Sequence, residues 1–447
     1  MRIAIIGASF AGVSCALALR KWDKDCEIVL FDKQKVVPYV SNGLNWLFRG
    51  KITELSDARF LTSEELTSHH IECHLGVAVT RIDFLKKKLD YTSETRISHL
   101  SYDYLVLATG SSPKSQVITG IESNRVVVAK GYLESLSARR VLEDAQSITI
   151  IGGGPIGIEA SETYVRLGKK VTLVESGSSL DFKNVDADMT TELVEKMGEA
   201  GIDLQLSTRV RQIIDNGEQK PLTIVSKESE WQSDAVLLAI NFRPQNDLYQ
   251  GDLECLVDGT LAVDKFMRTN LSSVYAIGDT VQLPFMSEQN KHYMPLVSHA
   301  FRSAEVAASH IMGKPQLILP SYKIIGHCHF GLYRGRIGLT EEELIFSDIS
   351  PIIHCYENKK FGLLENHFIR IKLLIDDKTN QFLGMQCLSD YNCLELLNIM
   401  SLVMRSKMTV DEVLAQDFYY PLSHVNTVAE LQRACQEMWI ERSSDAN

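Results

Sequence analysis

The sequence lacks the features that would place it at a membrane, on nucleic acid or in a secretory pathway. No apolar run approaches the roughly 18 residues needed to cross a bilayer. Acidic residues outnumber basic ones by 57 to 46, for a formal net charge of −11. This balance argues against a nucleic-acid partner and a basic membrane-binding patch. No charged segment with a cleavage site precedes the apolar stretch from Arg2 to Ile6, so no secretory signal is predicted. These absences predict a cytoplasmic protein without a membrane span.

Cysteine pairs are also lacking, although the chain holds nine cysteines. They are scattered, with no C-x-x-C motif and no spacing typical of zinc ligands. Free thiols are therefore expected. Cys328 lies between His327 and His329, which suggests a metal site. In a strand, however, the two histidines would share one face and Cys328 would point to the other, so no metal is predicted.

Two glycine-rich segments carry the main positive signal. Residues 7–12 follow one apolar strand, and Asp32 ends the next strand, 25 residues after Gly7. Residues 152–157 repeat this arrangement with Glu175, 23 residues after Gly152. We call these segments the first cradle and the second cradle. An apolar strand, a glycine turn, a helix start, a second strand and an acid form the fingerprint of a dinucleotide-binding fold.

The chemistry of a dinucleotide explains these residue types. Glycine allows the tight turn and the close approach of a pyrophosphate, which then lies on the free N–H groups at the helix N-terminus. The second cradle has all its glycines, whereas the first has Ser9 in the middle position. The acid accepts hydrogen bonds from a ribose diol and repels a 2′-phosphate, so Glu175 favours NADH. Basic neighbours such as Lys183 leave NADPH open.

Further strand ends complete a recognisable order along the chain. Apolar strands end at Ala108-Thr109-Gly110 and at Ile277-Gly278-Asp279, and Glu159 follows the second cradle. In this order the chain resembles the pyridine nucleotide-disulfide oxidoreductase superfamily, in particular the branch of NADH oxidases, NADH peroxidase and coenzyme A disulfide reductases. The resemblance implies an α/β fold with two Rossmann-like domains and a C-terminal α+β dimerisation domain. FAD would bind residues 1–113 and 241–320, NAD(P)H residues 114–240, and residues 321–447 would form the dimer.

The resemblance also implies individual site residues. Asp32 would bind the FAD ribose, Asp279 would lie near the ribityl-pyrophosphate, and Glu159 would lie near the nicotinamide. Asp279 could instead only initiate a turn, and Glu159 could be a solvated acid of the first helical turn. The implied FAD positions are Gly7, Ser9, Phe10, Ala11, Gly12, Asp32, Lys33, Asn42, Val79, Ala108, Thr109, Gly110, Gly278, Asp279, Pro295, Leu296 and Ser298. The implied NAD(P)H positions are Gly152, Gly154, Pro155, Ile156, Gly157, Glu159 and Glu175.

Two positions depart from the pattern of that branch. Its members carry a redox cysteine in a Ser-Cys-Gly motif, and here Asn42 stands between Ser41 and Gly43. Its oxidases and peroxidase carry a histidine where this chain has Phe10. A carboxamide forms no thiolate and no sulfenic acid. We therefore predict an FAD enzyme with Asn42 and Glu159 at its reaction site, which passes electrons from NAD(P)H to oxygen, a quinone or another small acceptor.

Two alternatives remain open from the sequence. A displaced cysteine could support a coenzyme A-type disulfide reductase; the candidates are Cys15, Cys328 and Cys387. The chain could also be a flavin- and NADH-binding sensor without physiological turnover.

An aromatic run near the C-terminus completes the predictions. Phe418, Tyr419 and Tyr420 follow an amphipathic helix that opens at Thr409. They resemble the loop through which family members reach across a dimer interface, and interface cores are rich in aromatic residues. A homodimer is predicted with these residues near its interface; the alternative is a local aromatic cluster.

Overall fold

The computed structural model describes the chain apart from residues 94–95, 114–117, 241, 250, 346, 348, 363–365, 421–424 and 446–447. The chain forms two compact units. The first unit comprises Met1–Ile148, Arg211–Val225 and Ser229–Pro320. The second unit comprises Thr149–Val210, Ser226–Glu228 and Ser321–Asn447.

The helices are distributed over both units. In chain order they are α1 (Phe10–Trp22), α2 (Gly43–Phe48), α3 (Ser63–Ser68), α4 (Tyr132–Asp144), α5 (Pro155–Arg166), α6 (Thr191–Glu199), α7 (Val297–Ile311), α8 (Glu341–Leu344), α9 (Glu395–Arg405), α10 (Val410–Leu414) and α11 (Thr427–Asp445). Short 3-10 turns lie at Leu55–Asp57, Ala187–Met189 and Gly278–Thr280.

The strands are likewise distributed over both units. In chain order they are β1 (Arg2–Ile6), β2 (Glu27–Asp32), β3 (Ile71–Leu75), β4 (Ala78–Asp83), β5 (Lys88–Ser93), β6 (Arg96–Ser101), β7 (Tyr104–Leu107), β8 (Ser111–Pro113), β9 (Val126–Val127), β10 (Ser147–Ile151), β11 (Lys170–Val174), β12 (Asp203–Gln205), β13 (Gln212–Ile214), β14 (Leu222–Val225), β15 (Glu230–Ser233), β16 (Ala235–Leu238), β17 (Phe242–Pro244), β18 (Val274–Ala276), β19 (Leu283–Phe285), β20 (Ser287–His292), β21 (Ile325–His329), β22 (Leu332–Gly338), β23 (Pro351–Phe361), β24 (His367–Asp376) and β25 (Phe382–Ser389).

A parallel sheet forms the centre of the first unit. Its strand order is β18-β7-β1-β2-β3. The residues of β1 from Ile3 to Ile6 are buried, and they pair with β2 on one side and β7 on the other. A continuous apolar run suits such a strand because helices cover both faces of a parallel sheet. The carboxyl ends of β1, β7 and β18 therefore meet at one edge, where open α/β sheets bind their ligands.

The second unit contains a short run of neighbouring strands and an antiparallel sheet. In this run β12, β11 and β10 are neighbours in that order, and β11 and β12 are parallel. The antiparallel sheet has the order β21-β22-β25-β24-β23. All eight residues of β25 are buried, and α9 covers this region with a buried apolar face that includes Leu397 and Met400.

The observed architecture confirms the predicted α/β class with an α+β segment at the C-terminus. The strand predicted around Cys328 is β21, and the rings of His327 and His329 stack with centroids 5.3 Å apart, as expected for neighbours on one face. The division into domains at residues 113, 240 and 320 stays a prediction. Among the described residues, no helix combines the length and the apolar character that a bilayer crossing requires.

Candidate functional site

The first cradle is a tight junction between β1 and α1. Gly7 has φ +107°, and a Cβ on Gly7 would lie 2.0 Å from the Ala108 carbonyl oxygen. A Cβ on Gly12 would lie 1.8 Å from the Gly7 carbonyl oxygen. Ser9 occupies the N-cap of α1 without a capping hydrogen bond from its side chain. The first turn of α1 therefore presents backbone N–H groups that suit a phosphate.

Asp32 is tied to the turn of the first cradle. Its Oδ2 accepts a hydrogen bond of 2.7 Å from the Ala8 N–H, and its Oδ1 accepts one of 2.7 Å from the Gln34 N–H. Burial raises the pKa of Asp32 above its ordinary value. Each carboxylate oxygen keeps a lone pair for a further donor, as a ribose diol would require. Lys33, beside it, is exposed.

The second cradle repeats this geometry. Gly152 has φ +117°, and a Cβ on Gly157 would lie 1.9 Å from the Gly152 carbonyl oxygen. Glu175 accepts hydrogen bonds of 2.7 Å from the Gly153 N–H and from the Gly177 N–H. In both cradles the acid thus binds the amide that follows the first glycine.

The space around Gly154 suits a pyrophosphate. A Cβ on Gly154 would meet no described heavy atom within 4 Å, in contrast to Gly153 and Gly157. Gly154 is the N-cap of α5, and Pro155 follows at the first helical position. Ile156 is 48% exposed, and Glu159 is half-buried on the same helix.

The strand ends predicted for FAD meet at the first cradle. A Cβ on Gly278 would lie 2.8 Å from the Ala11 Cβ, and the Gly278 N–H donates to the Ser303 Oγ at 3.0 Å. Thr109 Oγ1 donates to the Gln245 carbonyl oxygen at 3.0 Å. The carboxyl ends of β7 and β18 are therefore fixed beside the start of α1. Gly110 has φ +71°, and a Cβ on it would meet no described heavy atom within 4 Å.

Asp279 belongs to a polar cluster that sequence reasoning missed. Ser111 Oγ donates to Asp279 Oδ2 at 2.6 Å, and Lys130 Nζ donates to Ser111 Oγ at 2.5 Å. Lys130 Nζ lies 3.8 Å from Asp279 Oδ2, and burial lowers the pKa of Lys130. No motif spacing joins residues 111, 130 and 279, so only the folded chain reveals this cluster.

The start of α7 is a further helix N-terminus in the first unit. Leu296 is its N-cap, next to Pro295, and Ser298 lies in its first turn. His299 is buried, and burial lowers its pKa to about 4. Its ring is therefore neutral at neutral pH. Since a carbonyl only accepts, Nδ1 of His299 donates to the Met294 carbonyl oxygen at 3.0 Å.

Asn42 begins α2. It is the half-buried N-cap of that helix, and its Oδ1 accepts a hydrogen bond of 2.8 Å from Asn45 Nδ2. Val79 lies on β4, two residues after Val77, whose N–H donates to the Asp32 carbonyl oxygen at 2.9 Å. Phe10 begins α1 and stacks on Phe60.

The cysteines form no disulfide bond with one another. Cys15 is fully buried on α1, and burial raises its pKa, which makes it a poor nucleophile. Cys387 is likewise buried with a raised pKa, next to Cys393, whereas Cys328 is exposed. The described residues hold no cluster of three His, Cys, Asp or Glu side chains that could bind a metal ion.

The aromatic run lies after α10, the helix predicted to open at Thr409. Helix α10 begins at Val410; Thr409 is its N-cap, and Glu412 completes a capping box. Tyr419 is 84% exposed, Tyr420 is 49% exposed, and Phe418 is half-buried.

Two strand–turn–helix cradles, each with an acid hydrogen-bonded to its turn, are typical of an α/β protein that binds two dinucleotides. A family model described as pyridine nucleotide-disulphide oxidoreductase matches residues 1–304, and the dimerisation domain of that family matches residues 326–429. The chain belongs to the pyridine nucleotide-disulphide oxidoreductase family. The predicted class, an FAD-dependent NAD(P)H oxidoreductase, is confirmed.

Individual relatives agree with this assignment. An NADH oxidase from Enterococcus faecalis is 24% identical over 442 residues, which cover 96% of this chain and 99% of that protein. The crystal structure of a pyridine nucleotide-disulfide family oxidoreductase from Enterococcus faecalis V583 is 30% identical, with a TM-score of 0.85 over 99% of this chain and 100% of that one. A water-forming NADH oxidase from Lactobacillus brevis, solved with NADH, has a TM-score of 0.94 over 100% of both chains at 23% identity. This last likeness shows the fold alone.

Proposed function

We propose that the protein oxidises NADH bound at the second cradle and passes the electrons through FAD at the first cradle to oxygen, a quinone or another small acceptor. The observation that supports this proposal is Asn42, a carboxamide at the N-cap of α2, at the position where the resemblance implies the redox cysteine of the branch. The NADH oxidase from Enterococcus faecalis supports NADH as the donor. Cys15 is buried and its pKa is raised, so its thiol is a poor nucleophile, which argues against its replacing the redox cysteine from α1.

The residues of the first cradle fit FAD, which supplies the two-electron chemistry when it is bound. In this proposal, the first turn of α1 binds the pyrophosphate through its N–H groups, and Asp32 binds the ribose. Lys130 provides a half-buried positive charge beside Asp279 and Ser111. The backbone N–H groups at the start of α7 complete the polar lining with hydrogen-bond donors, and Nε2 of the neutral His299 can only accept a hydrogen bond.

The second cradle fits NADH by the same reasoning. The first turn of α5 would bind the pyrophosphate beside Gly154, and the Glu175 carboxylate would accept hydrogen bonds from the adenosine ribose diol. A 2′-phosphate there would face a buried carboxylate already fixed by two amides, so NADPH would bind more weakly. We assign Glu159, one turn further along α5, to the nicotinamide end.

Asn42 has a different role from the cysteine of the branch. Its amide hydrogen-bonds but does not form a covalent bond with a peroxide or a disulfide. We infer that it positions the acceptor or fills the space beside the reacting edge of FAD. We further propose a cytoplasmic homodimer, with Phe418, Tyr419 and Tyr420 near the interface, because exposed tyrosines suit an interface core.

Anaerobic stopped-flow absorbance of the FAD-loaded protein tests NADH as the electron donor and tests whether electrons reach the acceptor without a thiol. NADH is expected to reduce the bound FAD completely, and NADPH to bind about tenfold more weakly. Reoxidation by oxygen or a quinone is expected to continue after alkylation with iodoacetamide, because no thiol takes part. An NADH complex that leaves FAD oxidised would contradict the proposal and favour a sensor. Alkylation-sensitive release of thiol from coenzyme A disulfide would favour the disulfide reductase instead.

The variant Asn42→Cys tests the placement of Asn42. A cysteine beside FAD is expected to give a long-wavelength charge-transfer absorbance that disappears when acid protonates the thiolate. The control Ser68→Cys places a thiol at an exposed position of α3 and is expected to leave the spectrum unchanged. If Asn42→Cys gives neither this absorbance nor any thiol-dependent activity, position 42 is remote from FAD.

A further inference from the structure

Three phenylalanine rings of the first unit contact one another at a partly exposed surface. The rings of Phe10 and Phe60 stack with centroids 5.1 Å apart and an interplanar angle of 11°. The ring of Phe301 meets Phe10 edge-on at 6.1 Å and Phe60 at 6.5 Å. Phe60 is 41% exposed and Phe301 is 42% exposed. We call Phe10, Phe60 and Phe301 the phenylalanine cluster.

The phenylalanine cluster lies beside the first cradle. Phe10 is the first residue of α1, next to Ala11, and a Cβ on Gly278 would lie 2.8 Å from the Ala11 Cβ. The same Cβ would lie 4.0 Å from the Cβ of Ala300, the residue before Phe301. Phe10 and Phe301 therefore flank the junction where the starts of α1 and α7 meet the end of β18.

The segment that carries Phe60 pairs with the segment that leads to Asn42. The Val40 N–H donates to the Ala58 carbonyl oxygen at 2.8 Å, and Tyr39 forms an antiparallel bridge with Arg59. A Cβ on Gly43 would lie 2.3 Å from the Ala58 Cβ. Phe60 thus follows a stretch packed against the start of α2, which connects the phenylalanine cluster with Asn42.

The chemistry of the phenylalanine cluster selects its ligand. The rings offer flat apolar surfaces and carry no titratable group, donor or thiol, so they favour a planar apolar molecule that stacks on them. A charged acceptor would lose hydration there without gaining a partner. Oxygen itself needs no such surface.

We propose that the phenylalanine cluster binds a planar apolar acceptor of the quinone class; this inference rests on the proposed function and names the acceptor of that same site. In the overall reaction, NADH and one proton reduce the quinone to the hydroquinone and leave NAD⁺. The two electrons come from NADH, one hydroquinone proton comes from NADH and the other from solvent.

Steady-state kinetics of the FAD-loaded protein with NADH test the proposal with three acceptors: menadione, a naphthoquinone sulfonate and ferricyanide. The wild-type protein is expected to have a higher kcat/KM for menadione than for the charged quinone. Phe60→Ala removes one stacked ring and is expected to raise the KM for menadione about tenfold. The ratio of menadione turnover to ferricyanide turnover should fall accordingly. Phe301→Leu keeps apolar volume without a ring and should give a smaller change in the same direction.

A matched control lies at the other end of α1. Trp22 is 43% exposed, and Trp22→Ala is expected to leave all three acceptor reactions unchanged. If NADH reduces none of the acceptors, the proposed function itself is wrong. If ferricyanide is reduced but Phe60→Ala has the same KM for menadione as Trp22→Ala, the quinone site is wrong and the proposed function stands. Equal preference for the two quinones in the wild-type protein also overturns the quinone site.

Discussion

Gly12→Ala is expected to yield protein without FAD, and Gly157→Ala to yield protein that keeps FAD and loses NADH binding. The added methyl group would lie 1.8 Å from the Gly7 carbonyl oxygen in the first cradle and 1.9 Å from the Gly152 carbonyl oxygen in the second. The helix must therefore move away from the strand in each case. Overpacking costs on the order of 3 kcal/mol before any phosphate contact is lost, so each affinity should fall at least about 100-fold.

The FAD absorbance of the purified variants and titration with NADH provide the two measurements. Gly198→Ala is the matched control, because a Cβ at this position of α6 would meet no described heavy atom within 4 Å. That variant should keep both nucleotides, and its better helix propensity should stabilise α6 by up to about 1 kcal/mol. Gly12→Ala protein with a full complement of FAD would show that the first cradle is not the FAD site.

The cradles could be predicted from the sequence because their chemistry is local. A glycine turn, a helix start and an acid some two dozen residues later are fixed by one strand–helix–strand unit, and Asp32 and Glu175 indeed bind the amide after the first glycine. The strand ends at Thr109 and Asp279 could be predicted for the same reason. In each case an apolar stretch of sequence stops at a glycine or an acid.

The rest of the site depends on contacts between distant segments. Lys130 reaches Ser111 across 19 residues, and Ser111 reaches Asp279 across 168. Neither separation in sequence matches a helical or strand period, so no sequence pattern connects Lys130, Ser111 and Asp279. The same holds for Phe60 and Phe301, whose rings meet although they lie on segments far apart in the chain.

The second unit contains a buried ion pair with a large expected effect. Arg334 Nη2 lies 2.9 Å from Asp181 Oδ2, and the two side chains are only 3% and 2% exposed. The Asp181 N–H also donates to the Gly153 carbonyl oxygen at 2.8 Å. Asp181 has φ +54°, a left-handed conformation that its neighbours must maintain. Strand β22, which carries Arg334, thereby supports the turn of the second cradle.

Arg334→Ala is therefore expected to destabilise the protein and to weaken NADH binding while FAD is retained. It leaves the buried Asp181 carboxylate without its ion-pair partner, which costs on the order of 3–5 kcal/mol. For a unit of this size the thermal midpoint should fall by roughly 10 °C. The measurements are the unfolding midpoint of the FAD-loaded variant and its KM for NADH, which should rise more than kcat falls.

Two further variants separate the charge from the packing. Replacing both partners, as Asp181→Asn with Arg334→Met, removes the buried charge that has lost its counter-ion and should recover a large part of the stability, because the cost arises mainly from that charge. Arg139→Ala breaks an exposed pair with Glu143 on α4 and should shift the midpoint by no more than the small effect typical of surface pairs. An Arg334→Ala protein as stable as Arg139→Ala, with an unchanged KM for NADH, would mean that the ion pair is dispensable and that the second cradle holds its turn without β22.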